Sequence, residues 1–198
     1  MATLTATKLR TKKRREPKPL YDGKKMSLAD FRNWTAEDGF KYEWDNGILR
    51  AKTGMKIKER MIVARLLRRF SQTKAYQNGG ELLPEAETFF EPVGKLRIPD
   101  LAYFTKEELL RSEQGEETIP KFIVEIISPT NTVDEIQTKL KDYFTSGVQM
   151  VWEIFPKHQL VRVYASLKEA KICIGDDICS AAPIIPDFQI AVNQIFNS

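Results

Sequence analysis

The chain has 198 residues and a mass of 22.8 kDa, a length typical of one sizeable domain. Apolar residues make up 42% and charged residues 29%, which excludes an intrinsically disordered chain and a protein composed of membrane-spanning helices. The formal net charge of +4 permits a polyanionic partner without requiring one. Two cysteines are too few for a disulfide framework, and no apolar run has the length of a signal peptide or a membrane span. We therefore expect a cytoplasmic protein that does not enter a membrane.

The positive charge is concentrated near the N-terminus. Residues 8–18 contain seven basic side chains and one acidic side chain, a net charge of +6, whereas the rest of the chain sums to −2. This stretch has too few large apolar residues to offset the entropy of ordering it. We predict a flexible basic arm at residues 1–24 and one folded domain at residues 25–198. The arm either binds nucleic-acid phosphates or only increases solubility.

The predicted elements alternate between helices and strands. Ser27 is the predicted N-cap of a short helix, and Asn46-Gly47 predicts a hairpin between strands at 40–44 and 48–51. In chain order, the following patterns predict a helix at 56–73, strands at 88–90 and 96–104, a short helix at 106–112, a strand at 122–127, a helix at 134–146, and strands at 150–155 and 160–164. The apolar residues of the helix at 56–73 that share one face are Ile57, Met61, Ala64 and Leu67. This order predicts an α/β domain with a mixed sheet.

Two acidic residues interrupt segments that are otherwise apolar. Asp100 lies inside or at the mouth of the predicted strand at 96–104, and Glu125 interrupts the run at 122–127. An isolated buried carboxylate is costly, so each acid needs a cation, a metal ion or a shifted pKa. Two acids on two strands are compatible with a shared divalent cation. The alternative is that Asp100 caps a turn after Pro99 and Glu125 pairs with a lysine for stability alone.

The helix after Glu125 supplies a candidate cation for a phosphate group. Its lysines are Lys139 and Lys141, and their helical positions differ. Lys139 lies three residues after Ile136 and four before Tyr143, which places it at the border of the sheet-facing side. Lys141 lies farther toward solvent, so the spacing favours Lys139.

These segments together resemble a known family. Ile98-Pro99-Asp100, Val124-Glu125-Ile126-Ile127-Ser128-Pro129, and Lys139-Leu140-Lys141-Asp142-Tyr143 with Gly147 are similar to segments of the Uma-type (DUF820-like) family of bacterial restriction endonucleases. Tyr42-Glu43 ahead of Asn46-Gly47 also matches the early hairpin of that family. The family is a branch of the PD-(D/E)XK nuclease superfamily.

The resemblance implies a restriction-endonuclease-like core, in which helices flank a central mixed sheet. It implies that Mg²⁺ or Mn²⁺ is held by Asp100, Glu125 and the backbone carbonyl of Ile126, and that a water activated by the metal hydrolyses DNA phosphodiester bonds. Lys139 would orient or deprotonate that water, and Glu43 would hold a nearby water or a second metal. The sequence departs from the superfamily pattern two residues after Glu125, where Ile127 replaces the usual lysine.

Three functions are compatible with these features. The first is a metal-dependent endonuclease acting on DNA, and a homodimer is then expected because one active site per chain must cut two strands. The second is a catalytically inactive nucleic-acid-binding or regulatory protein with the same fold. The third is a protein-interaction module whose basic arm binds an acidic partner.

Overall fold

The computed structural model describes residues 17–197, so most of the predicted basic arm lies outside the described residues. Within the described part, the backbone of Gly23 and Lys24 forms hydrogen bonds with Leu49, and the ring of Tyr21 packs edge-on against Trp34. The chain from residue 21 onward is therefore attached to the first hairpin. The division into an arm at 1–24 and a domain at 25–198 stays a prediction.

The described chain contains six α-helices, one short 3-10 helix (Glu91–Val93) and twelve strands. The helices are α1 (Leu28–Arg32), α2 (Ile57–Phe70), α3 (Lys74–Gln77), α4 (Lys106–Glu113), α5 (Val133–Thr145) and α6 (Val192–Phe196). The strands are β1 (Lys41–Asp45), β2 (Ile48–Lys52), β3 (Glu81–Pro84), β4 (Thr88–Phe90), β5 (Lys95–Arg97), β6 (Leu101–Phe104), β7 (Phe122–Ile126), β8 (Met150–Phe155), β9 (Leu160–Ser166), β10 (Glu169–Ile174), β11 (Ile178–Ser180) and β12 (Gln189–Ala191).

The largest sheet is six-stranded and mixed. Its strand order is β10-β9-β8-β7-β6-β3, with β7 and β8 parallel and all other neighbours antiparallel. A second, antiparallel sheet has the order β2-β1-β5-β4, and β11 pairs with β12 near the C-terminus. The parallel pair is joined by α5, as a parallel connection requires a crossover.

Helices cover both faces of the six-stranded sheet. Val124 and Ile126 of β7 belong to the core cluster that α2 completes with its buried residues, Leu66 among them. Ile123 belongs to a separate cluster that contains Leu140 of α5. Because successive strand residues point to opposite faces, α2 and α5 lie on opposite sides of the sheet. The predicted α/β fold with a central mixed sheet flanked by helices is confirmed.

Several local predictions agree with the structure. The Ser27 hydroxyl accepts a hydrogen bond from the Asp30 amide at the start of α1. The β1–β2 turn has Asn46 at φ 47° and Gly47 at φ 90°, the left-handed conformations that an Asn-Gly hairpin turn requires. The predicted strand at 150–155 matches β8.

The predicted strand at 96–104 is wrong. It consists of two strands, β5 and β6, which belong to different sheets. Pro99 lies at the break, where its missing amide hydrogen cannot join a strand ladder. The chain crosses from the small sheet to the large one here and places Asp100 at the junction between them.

The predicted helix at 56–73 is also corrected. It ends at Phe70, and its buried face consists of Ile62, Val63, Leu66 and Phe70. In contrast, Ile57 is 72% exposed and Met61 is 43% exposed. The helix has apolar residues on two stripes, and packing against the sheet selects the second one. Arg65 and Arg69 of α2 donate hydrogen bonds to carbonyls of the C-terminal segment.

The prediction omitted the strands β3, β10, β11 and β12 and the helices α3 and α6. β10 carries a mostly exposed face, so its sequence lacks the apolar alternation of a half-buried strand. Within residues 17–197 none of the helices is long and apolar enough to cross a membrane.

Candidate active site

The predicted site residues lie together although they come from four elements. Glu43 is in β1, Asp100 directly precedes β6, Glu125 is in β7 and Lys139 is in α5. All four line one cleft with a volume of about 650 Å³, and Ile126 lines it as well. The antiparallel register of β6 and β7 places Leu101 opposite Val124, so Asp100, just before β6, lies next to Glu125 of β7.

Asp100 is buried and has partners on both carboxylate oxygens. Oδ2 accepts a hydrogen bond from the Ile126 amide at 2.7 Å. Oδ1 lies 2.8 Å from Nζ of Lys52, the last residue of β2. Both side chains of this ion pair are almost fully buried, with 9% of Lys52 and 6% of Asp100 exposed. Asp100 therefore connects the four-stranded sheet, which contains β2, to the six-stranded sheet through charge-assisted contacts.

Glu125 makes its contacts through one of its two carboxylate oxygens. Its Oε1 accepts a hydrogen bond from the Tyr143 hydroxyl and lies 3.5 Å from Nζ of Lys139. Its Oε2 has no hydrogen-bond partner among residues 17–197. Burial raises the pKa of Glu125; Lys139 opposes that shift, and the neighbouring Asp100 carboxylate adds to it. Burial is the largest cause of this shift.

Glu43 holds Lys139 in place. Its Oε1 lies 2.7 Å from Nζ of Lys139 and also accepts a hydrogen bond from the Ile98 amide, while its Oε2 lies 3.1 Å from Nη1 of Arg97. Burial alone would raise the pKa of Glu43, but Lys139 and Arg97 outweigh it and lower that pKa to about 2. The neighbouring Lys141 is exposed. Of the two lysines of α5, Lys139 is therefore the one that reaches the acids, as its helical position predicted.

Arg97 connects Glu43 to a buried ion network behind the cleft. Its Nη2 lies 2.7 Å from Asp142, three residues after Lys139 in α5, and 3.3 Å from Asp45. Lys95 also contacts both aspartates, at 3.2 and 3.4 Å. Only 5% of the Arg97 side chain is exposed. This network holds α5, and with it Lys139, against the four-stranded sheet.

Glu153 is a further buried acid in the cleft. It lies in β8 directly beside Glu125 in the parallel register, and 2% of its side chain is exposed. Its Oε2 has no hydrogen-bond partner in the described chain, and the nearest cation is Nη1 of Arg162 at 3.8 Å. Burial raises the pKa of Glu153 to about 7, against the opposing effect of Arg162.

The donor set fits a divalent metal ion that keeps most of its water ligands. Asp100 and Glu125 provide two carboxylates, and one oxygen of Glu125 lacks a hydrogen-bond partner in the chain from 17 to 197. Mg²⁺ is commonly held by one or two carboxylates, with water and substrate phosphate completing its coordination. Among the described residues no three His, Cys, Asp or Glu side chains form a cage. The residues therefore fit an open two-carboxylate site.

Sequence reasoning missed several side chains of this cleft and of the ion network next to it. Glu153, like Glu125, is an acidic residue within an apolar strand segment, so the same sequence pattern could have identified it. The other missed residues are recognised only by their contacts with residues that are distant in the chain, and a local sequence pattern does not contain such contacts. The missed residues are Lys52, Arg97, Asp142, Tyr143 as a partner of Glu125, and Glu153.

The fold and this cleft define an α/β protein with paired acids and a lysine at one edge of a mixed sheet. The fold is similar to a crystal structure described as "a putative nuclease belonging to DUF820" from Anabaena variabilis, with a TM-score of 0.70, 21% identity, and coverage of 86% of this chain and 97% of that chain. The model of the Uma2 family, described as "Putative restriction endonuclease", matches residues 28–193. The chain belongs to the Uma2 family, which confirms the resemblance seen in the sequence. No curated protein matches it.

Proposed function

We propose that this protein is a metal-dependent endonuclease that hydrolyses DNA phosphodiester bonds, with Mg²⁺ or Mn²⁺ as its cofactor. The observation that carries the proposal is the convergence of Asp100, Glu125 and Lys139 in one open cleft. Family membership supports a nuclease. The metal, the DNA substrate and the residue roles are our proposal.

Asp100, Glu125 and the backbone carbonyl of Ile126 are the proposed metal ligands. The hydrogen bond from the Ile126 amide to Asp100 holds these groups in one fixed arrangement. When bound, a divalent cation supplies Lewis-acid stabilisation of the phosphate charge and increases the acidity of a water molecule. Tyr143 orients Glu125 by donating its hydroxyl hydrogen to Oε1.

Lys139 is proposed to act as a cation. Burial lowers the pKa of Lys139, but Glu125 and Glu43 outweigh that effect and raise the pKa above its ordinary value. The ammonium group is therefore protonated at neutral pH, which suits it to hold a phosphate oxygen or orient a water rather than remove a proton. Glu43 pairs with Lys139 through Oε1 and with Arg97 through Oε2, so its proposed role is to position Lys139.

The second candidate is a nucleic-acid-binding or regulatory protein without catalytic activity. The ion pair between Lys52 and Asp100 favours it, because this pair satisfies the buried acid without a metal. The unpartnered oxygen of Glu125 and the raised pKa of that acid favour the enzyme.

The proposal extends to the oligomeric state and the cellular compartment of the protein. We propose a homodimer, since two active sites are needed for the two strands of a duplex. Two free, buried cysteines are compatible with the reducing cytoplasm, where we propose that the protein acts.

Nicking of supercoiled plasmid in Mg²⁺ or Mn²⁺ tests the proposal. Wild type should nick the plasmid and lose this activity in EDTA. Asp100→Asn, Glu125→Gln and Lys139→Met should each reduce the rate by roughly 100-fold or more, since each removes a charged group from the reaction centre. Lys141→Met, two residues along the same helix on its exposed side, should retain the wild-type rate.

Two results would contradict the proposal. Wild type that binds DNA but cuts it in neither metal supports the inactive binding protein. Unchanged cleavage by Asp100→Asn or Glu125→Gln would show that the reaction takes place elsewhere.

A further inference from the structure

Lys52 is a buried lysine of the cleft to which neither the family pattern nor the proposed mechanism gives a role. It ends β2, the edge strand of the four-stranded sheet, and its side chain crosses to Asp100 at the margin of the six-stranded sheet. The pair joins residues 48 positions apart in the chain. A contact this buried and this long-range is specific to the folded site.

The ion pair leaves Asp100 without a free carboxylate oxygen. Oδ2 is occupied by the Ile126 amide, and Oδ1 by the Lys52 ammonium. The Ile126 hydrogen bond is part of the backbone arrangement between β6 and β7, so it persists when a ligand binds. The Lys52 contact is made by a flexible side chain and is the one that can be exchanged.

We propose that Lys52 is the resident counter-cation of Asp100 and that a divalent metal ion binds Asp100 only by displacing the Lys52 ammonium. The inference rests on the proposed function, because it takes Asp100 as a metal ligand. In the metal-free protein the lysine supplies the positive charge beside this buried carboxylate, with 2.8 Å between Nζ and Oδ1. In the metal-bound protein the divalent cation takes over that role, and two cations on one carboxylate repel each other.

The surroundings of Lys52 allow the displacement. β2 ends at Lys52, and the next two residues, Thr53 and Gly54, are exposed and line the cleft. The cleft therefore offers the Lys52 side chain space to move away from Asp100. The released ammonium remains within the same cleft as Lys139. The exchange replaces one positive charge beside Asp100 by two, and the additional charge is available to the neighbouring Glu125.

Calorimetric titration of Mn²⁺ into the full chain, without DNA and at fixed pH and about 0.15 M salt, tests the exchange. Lys52→Met should bind Mn²⁺ at least tenfold more tightly than wild type, since both the competitor and its repulsion are removed. Lys52→Gln gives a second test if the methionine variant does not fold, because it removes the charge and keeps a hydrogen-bond donor for Asp100. Asp100→Asn should abolish the binding heat, which assigns it to this site.

Lys41→Met is the matched control. Lys41 lies opposite Lys52 in the β1–β2 register, but its side chain is 50% exposed and pairs with Glu85. Removing this charge should change the Mn²⁺ dissociation constant by less than about twofold, because solvent and salt screen it.

The outcomes separate this inference from the proposed function. Equal or weaker Mn²⁺ binding by Lys52→Met and Lys52→Gln overturns the displacement while the metal site stands. Absence of Mn²⁺ binding in wild type and in both variants overturns the metal site and the displacement together. Binding by the variants but not by wild type supports the displacement in its strongest form.

Discussion

Replacing Arg97 by methionine should destabilise the protein by about 3 kcal/mol at pH 7. Arg97 is almost fully buried and is the direct partner of two buried carboxylates, Glu43 and Asp142. Removing one member of a buried ion pair costs about 3–5 kcal/mol, because the remaining charge stays buried without compensation. Lys139 still faces Glu43 and Lys95 still faces Asp142, which places the expected cost at the lower end of that range.

The pH dependence provides an independent measure of the same interaction. The pKa of Glu43 falls from 4.5 to about 2 on folding, which corresponds to roughly 3 kcal/mol of stability. Because this pKa is depressed, the contribution is present above pH 4.5 and is lost as the pH falls toward 2. In Arg97→Met the pKa of Glu43 rises, so protonation relieves the unpaired charge. The stability difference between variant and wild type should therefore be smaller at pH 4 than at pH 7.

Urea unfolding monitored by tryptophan fluorescence at pH 7 and pH 4 measures both effects. Arg111→Met is the matched control, since Arg111 pairs with Glu116 at 3.9 Å and both side chains are more than half exposed. It should cost less than about 0.5 kcal/mol at either pH. A cost for Arg97→Met below about 1 kcal/mol at pH 7, or a cost that does not change with pH, would refute the network as the support of Glu43 and Lys139.

Two further predictions concern stability. Glu153→Gln should stabilise the protein by up to about 3 kcal/mol at pH 8 and by little at pH 5. Burial raises the pKa of Glu153 to about 7, so wild type loses stability as the pH rises from 4.5 through that value. Equal effects of the substitution in urea unfolding at the two pH values would contradict this. Tyr143→Phe should cost about 2 kcal/mol by removing the hydrogen bond to the buried Glu125, whereas Tyr76→Phe, at a tyrosine that is 43% exposed, should cost less than about 0.5 kcal/mol. Equal urea midpoints for these two variants would show that the Tyr143 hydroxyl does not stabilise Glu125.

The local structure followed from the sequence wherever one short segment carried the whole signal. The turn at Asn46-Gly47 needs two left-handed residues, and the amphipathic pattern ending at Gly147 needs a helix with a glycine just after it. Asp100 and Glu125 stood out for a similar reason, because an acid inside an apolar strand is costly wherever it occurs. The sequence by itself thus determined the fold class and the acids of the candidate site.

The tertiary structure decided which residues face each other. In α2 two apolar stripes satisfy helical periodicity, and only contact with the sheet buries Ile62 and Leu66 instead of Ile57 and Met61. The break at Pro99 separates two sheets that no local pattern distinguishes. The partner of Asp100 is likewise a product of the fold. Pairing energies depend on distances across the folded chain, so the lysine that neutralises a buried acid is fixed only when the two sheets meet.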